Sequence, residues 1–179
     1  MTISAWFMDN EEGDQRLPHR LPGDSSVSMD HLAKLGVLHW SGISCAEDPR
    51  LAEIMKERGY TYTDVCNIAP GSLPDFENKI KSFFREHIHY DEEIRLCLEG
   101  SGYFDVRGLN DEWIRISLEA GDMIILPEGI YHRFTCDEKD HIKAMRLFVG
   151  EPVWTPYNRD EIDEMKNASR LKYVQTFMQ

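Results

Sequence analysis

The chain has 179 residues, 41% of them hydrophobic, and 32 acidic against 20 basic side chains give a formal net charge of −12. That length suits one domain with a true core, the hydrophobic content argues against disorder, and the acid excess argues against nucleic acid or anionic membrane as partners. No stretch approaches the roughly 20 consecutive apolar residues of a membrane span, and the opening Met1-Thr2-Ile3-Ser4-Ala5-Trp6 has neither the basic nor the apolar part of a secretory leader. The four cysteines, Cys45, Cys66, Cys97 and Cys136, are scattered with no Cys-x-x-Cys pair, so free thiols in a reducing cytoplasm are expected. A chain this small is also compatible with entry into the nucleus. No apolar stripe demands a second copy, so a monomer is expected.

The first third reads as helical and irregular. Ser28 caps a short helix carrying Met29, Leu32 and Leu35, stopped by Gly36. Asp48-Pro49 is a cap followed by proline at the first helical position. Leu51, Ile54 and Met55 then form one stripe that ends at Gly59. Leu73-Pro74-Asp75 opens a third helix whose apolar face is Phe76, Ile80, Phe83 and Phe84.

From about His87 the texture changes to short strands and turns. Strands are expected over 93–98, 103–107, 113–118, 123–126, 131–135 and 143–149, with turns at Glu99-Gly100-Ser101-Gly102, at 108–111 and at 119–122. Many short strands at this spacing point to an antiparallel sandwich or barrel. The tail from Arg159 is charged and in part helical.

The chemistry concentrates in His87-Ile88-His89-Tyr90-Asp91-Glu92-Glu93 and in Pro127-Glu128-Gly129-Ile130-Tyr131-His132. Side chains alternate across a strand, so His87 and His89 point the same way. Glu93 has their parity and returns to that face after a short distortion at 90–92. Three imidazoles and a carboxylate suit iron, nickel, cobalt or manganese better than structural zinc, which is closed and often bound by cysteine. On an octahedral ion they leave two adjacent positions, enough for a chelating oxygen substrate. The metal ligands expected are therefore His87, His89, Glu93 and His132, with one ion per chain. A lone histidine is more often structural, and His19, His31, His39 and His141 are read that way.

Parity extends the site. Arg95 shares the face of Glu93 and would supply the positive charge that an acidic protein needs to hold an anionic oxygen. Its alternative is a plain ion pair with Glu99. Phe134 shares the face of His132, and Phe83 precedes His87 by four residues, so both suit an apolar substrate tail or, equally, the core. Arg146 and Trp154 read as structural, and nothing in the spacing of Tyr103 or Tyr131 demands a role in the pocket.

Gly100 follows Glu93, and the run Gly121, Pro127-Glu128-Gly129, His132 completes a second motif. Together they are similar to the two motifs of the cupins. That resemblance implies a mainly β fold, a double-stranded β-barrel (jelly-roll) with peripheral helices and a helical N-terminal third. Residues 1–179 would form a single cupin domain with its barrel core at about 85–155. Cys136 stands where the family often has an asparagine that is not a ligand. More narrowly, His87–Arg95, Gly100–Arg107, Gly129–Thr135, Ala144–Phe148, Glu151-Pro152-Val153-Trp154 and Ala5-Trp6-Phe7-Met8-Asp9 resemble the acireductone dioxygenases.

This second resemblance implies an Fe(II)- or Ni(II)-dependent enzyme of methionine salvage, with Co(II) or Mn(II) as further candidates. Its substrates would be acireductone (1,2-dihydroxy-3-keto-5-methylthiopentene) and dioxygen. Iron would give 4-methylthio-2-oxobutanoate and formate; nickel would give 3-methylthiopropionate, formate and carbon monoxide. Arg95 would be catalytic and substrate-binding, with Phe83 and Phe134 around the methylthio tail. The rival readings are another metal cupin, such as a thiol dioxygenase or sugar isomerase, and a non-catalytic metal-binding adaptor.

Overall fold

The computed structural model describes residues 3–179. Ten strands and four α-helices run in the order β1 (Ser4–Phe7), α1 (Met29–Lys34), β2 (Leu38–Trp40), α2 (Pro49–Arg58), β3 (Tyr62–Ile68), α3 (Phe76–Phe83), β4 (His87–Ile88), β5 (Glu93–Arg107), β6 (Trp113–Glu119), β7 (Met123–Leu126), β8 (His132–Cys136), β9 (Ile142–Phe148), β10 (Tyr157–Asn158) and α4 (Ala168–Phe177). One antiparallel sheet has the order β1-β6-β5-β8-β4-β10, and a second, β2-β7-β5-β9-β3, shares β5 with it. The mainly β architecture is as expected and is consistent with a cupin-like barrel.

Two expectations need correction. The N-terminal third is not helical as a whole. The helices begin where their caps predict, with Ser28 accepting from the His31 amide and Asp48 from the Arg50 amide. Before, between and after these two helices, however, β1, β2 and β3 are strands. Tyr62–Ile68 alternates half-buried and exposed residues along its length and pairs with all seven residues of β9. Such a half-buried strand gains its stability from cross-strand neighbours far away in sequence, so local composition understates it.

The second correction concerns Glu99-Gly100-Ser101-Gly102, which is not a turn. The chain runs on as one 15-residue strand through a bulge between Cys97 and Glu99. Gly100 takes φ +76°, and a Cβ there would lie 2.1 Å from the His141 carbonyl oxygen. Only glycine fits both the left-handed conformation and that approach. The bend lets residues 93–100 pair with β7 and β9, and residues 101–107 with β6 and β8.

Alternation along these strands decides what faces inward. Ile94 and Leu96 of β5 and Met145 and Leu147 of β9 pack outward with Leu51 and Ile54 of α2. Each such buried aliphatic side chain is worth about 1.5–3 kcal/mol. The opposite parity, Glu93 and Arg95 on β5 with Ala144 and Arg146 on β9, is thereby turned to the interior. α4 closes one end, burying Tyr173 and donating its hydroxyl to the Leu35 carbonyl at 3.0 Å.

Candidate metal centre and substrate cavity

β4 and β8 pair antiparallel with His87 directly opposite His132. After Ile88 the chain leaves the sheet and re-enters at Glu93, so the distortion expected at 90–92 is present. It returns the carboxylate to the face of the histidines. Ring centroids of His87, His89 and His132 lie 4.4–5.3 Å apart. One nitrogen from each can be chosen so that all three fall within 4.8 Å of one another, a grouping that could hold a metal ion. Glu93 Oε2 lies 3.1 Å from His89 Nε2 and 3.6 Å from His132 Nε2.

The other ring nitrogen of each imidazole is tied to the backbone. Nδ1 of His87 lies 2.6 Å from the Arg85 carbonyl, that of His89 2.9 Å from Thr155, and that of His132 3.0 Å from Ile130. A carbonyl only accepts, so each Nδ1 carries a proton and each Nε2 is turned towards the cluster, where that of His89 meets the Glu93 carboxylate. His132 Nε2 is fully buried and has no hydrogen-bond partner among the described residues. A lone pair in that position costs about 1–3 kcal/mol unless something binds it. The donor set and this orphaned atom both fit a divalent cation of borderline hardness.

Electrostatics support the same reading. Burial, reinforced by the neighbouring His132, pushes the His87 imidazole down to about 3, so at neutral pH it is unprotonated and ready to ligate. Burial alone would raise the Glu93 carboxyl. The Arg95 charge and the adjacent imidazoles outweigh it and hold Glu93 well below the usual carboxylate range. Burial would lower His89, but its contact with Glu93 prevails and raises it.

Beside the imidazoles lies a cavity of about 510 Å³, with His87, His89 and Glu93 on its wall. The residues expected there are present: Arg95, Phe83 and Phe134 all line it, with the two phenyl rings edge to face at 6.3 Å. Arg95 contacts Glu93 at 3.4 Å, whereas Glu99 pairs with Lys143 at 2.6 Å, so the plain Arg95–Glu99 ion pair does not form. Tyr103 and Tyr131 lie elsewhere: Tyr103 packs on Trp6, and Tyr131 is buried under Arg159 and Arg170.

Sequence reasoning missed Arg146 and Trp154, which also line the cavity. A signal for Arg146 existed, since Ile142, Ala144 and Arg146 share one parity on β9. Trp154 sits in an irregular segment where no periodicity speaks. Half-buried Cys66 on β3 borders the cavity as well.

The family model of the ARD/ARD' family matches residues 4–156. This chain belongs to the ARD/ARD' family. Relatives named acireductone dioxygenase support it over nearly their whole length. The protein from Branchiostoma floridae is 55% identical, covering 97% of both chains. That from Rattus norvegicus is 56% identical, covering 96% of both. Acireductone dioxygenase 2 of Arabidopsis thaliana is 54% identical over 98% of this chain and 91% of its own. Among solved structures, the acireductone dioxygenase from Bacillus anthracis with cadmium ion in its active center superposes with a TM-score of 0.62 at 26% identity. It covers 71% of this chain and 86% of that one. The ARD/ARD' match thus spans β1 to the segment after β9, including every residue of the imidazole cluster and the cavity.

Proposed function

We propose that the protein is a metal-dependent acireductone dioxygenase whose ion is held by His87, His89, Glu93 and His132. The carrying observation is the convergence of three imidazoles, each with Nδ1 tied to a carbonyl and Nε2 turned towards the cluster. Glu93 adds a carboxylate kept anionic by Arg95. A bound Fe(II) or Ni(II) would supply Lewis acidity and a template for the two oxygens of an ene-diol.

The chain's own residues do the rest. Arg95 stands beside Glu93 and would neutralise the negative charge of the substrate's ene-diolate. Its guanidinium fork can hold an enolate oxygen without forfeiting the Glu93 contact. Phe83, Phe134 and Phe104 give the cavity an apolar wall for the methylthio tail. Seating that tail displaces water from the cavity and strengthens the Arg95 interaction.

We further propose that the ion decides the product within methionine salvage. The test is to load metal-free protein separately with iron(II) and nickel(II), supply acireductone and oxygen, and identify products. Iron is expected to give 4-methylthio-2-oxobutanoate and formate. Nickel is expected to give 3-methylthiopropionate, formate and carbon monoxide. Turnover without oxygen would contradict the dioxygenase reading and favour an isomerase.

A further inference from the structure

Two arginines, Arg95 and Arg146, face the cavity from neighbouring strands, and Arg95 meets Glu93 beside the imidazole cluster. Asp64 of β3, Arg146 of β9 and Arg95 of β5 form one row across three strands. Asp64 is the register partner of Arg146, and Arg146 is the register partner of Arg95. Arg146 grips the Asp64 carboxylate with both Nε (2.7 Å) and Nη2 (2.5 Å). Its guanidinium stacks on Trp154 at 4.1 Å, and Arg95 lies 5.6 Å from the same indole. Arg95 itself contacts Glu93 and the Ile94 carbonyl.

Adjacent strands stand about 4.8 Å apart, which puts the Asp64 and Arg95 backbones roughly 10 Å from each other. Asp64 is half-buried, and the next cation along its row after Arg146 is Arg95. Tyr62 also donates its hydroxyl to Asp64 at 2.9 Å, but a neutral donor does not replace a counter-charge, and a long arginine side chain can turn towards the half-buried carboxylate. The Asp64 carboxyl is already held below its usual range, chiefly by Arg146, then by the Tyr62 hydroxyl, and in smaller part by the Arg95 charge.

We propose that Arg146 is a positioning residue: by occupying Asp64 with both arms of its fork, it keeps Arg95 on Glu93 and the reacting oxygens. The inference rests on the role assigned to Arg95 above. Two other roles for Arg146 make different forecasts. A structural tie between β3 and β9 would be broken equally from either end. Direct substrate binding by Arg146 would be lost whatever occupies position 64.

The test compares Arg146→Met, Asp64→Asn and the double variant, each loaded with iron(II) and checked for metal content. Arg146→Met is expected to lower kcat/KM about 30-fold with metal content unchanged, a coupling typical of charged neighbours. Asp64→Asn should stay within about threefold of the parent, and the double variant should recover to a similar level, since no carboxylate then competes for Arg95. Failure of the double variant to recover would overturn the proposal, as would an Asp64→Asn loss equal to that of Arg146→Met. If Arg146→Met alone does not fold, the double variant and Asp64→Asn still decide by the same limits. Arg95→Leu in the same assay separates the two levels. Full activity there would refute the role of Arg95 itself, whatever Arg146 does.

Discussion

Replacing His132 with alanine is expected to abolish both metal retention and turnover. His132 is buried, its Nδ1 is fixed by the Ile130 carbonyl, and its Nε2 has no hydrogen-bond partner among the described residues. The variant keeps the β4–β8 pairing, because that pairing is made by backbone groups. It loses one of three converging imidazoles and leaves His87 and His89 with Glu93, a set with one ligand fewer. Removing a residue that merely orients a ligand typically costs 10- to 100-fold in affinity or activity, so loss of the ligand itself should exceed about 100-fold. A thermal readout separates this from misfolding. A ligand that binds only the folded state stabilises it by about 2.7 kcal/mol at a hundred times its Kd, so the parent should melt higher with added iron(II) or nickel(II). The alanine variant should melt at one temperature with or without metal. A metal-dependent rise in the variant equal to that of the parent would remove His132 from the ligand set.

Arg95→Leu is the second large effect, and it should divide binding from chemistry. The ligands remain, so metal content should stay near that of the parent. Activity should fall about 10²–10³-fold, as when one donor to a developing anion is removed from a water-poor site. Two losses combine. The substrate's growing negative charge has no guanidinium to meet it, and Glu93 loses the cation that holds its carboxyl so low. Arg95→Lys should recover only part, because an ammonium supplies charge without the planar fork. The checks are metal analysis and steady-state oxygen uptake on the same preparations. Unchanged activity in Arg95→Leu would show that Arg95 serves the fold alone.

Much of this site was legible in the chain before folding, and the reason is geometric. A strand's period of two turns spacing into direction, so His87-x-His89, Glu93-x-Arg95 and His132-x-Phe134 each declared a shared face. The structure places His87, His89, Glu93, Arg95 and Phe134 on one cavity wall and groups His132 with the other two imidazoles. Helix starts were equally legible, because Ser28 and Asp48 act on amides two or three residues away.

What stayed hidden depended on distant partners. Glycine at a turn and glycine at a bulge look alike locally, and only the pairing of β5 with β9 reveals that Gly100 bends a continuous strand. β3 was hidden because its inner residues, Asp64 and Cys66, are polar or small and meet Arg146 and Ala144 across the sheet. The docking of α4 rests on Gly129, where a Cβ would lie 2.3 Å from the Ser169 carbonyl oxygen. That glycine looked like part of the metal motif alone, yet it also makes room for a helix forty residues downstream.

The central claim is that three histidines and Glu93 hold one ion that turns over acireductone with oxygen. Its most direct test is oxygen uptake by metal-free protein titrated with iron(II) in the presence of acireductone. Uptake should be absent without metal, rise linearly as iron is added, and level off at one ion per chain. Uptake that is absent at every iron concentration, or that breaks at a different stoichiometry, would contradict the account.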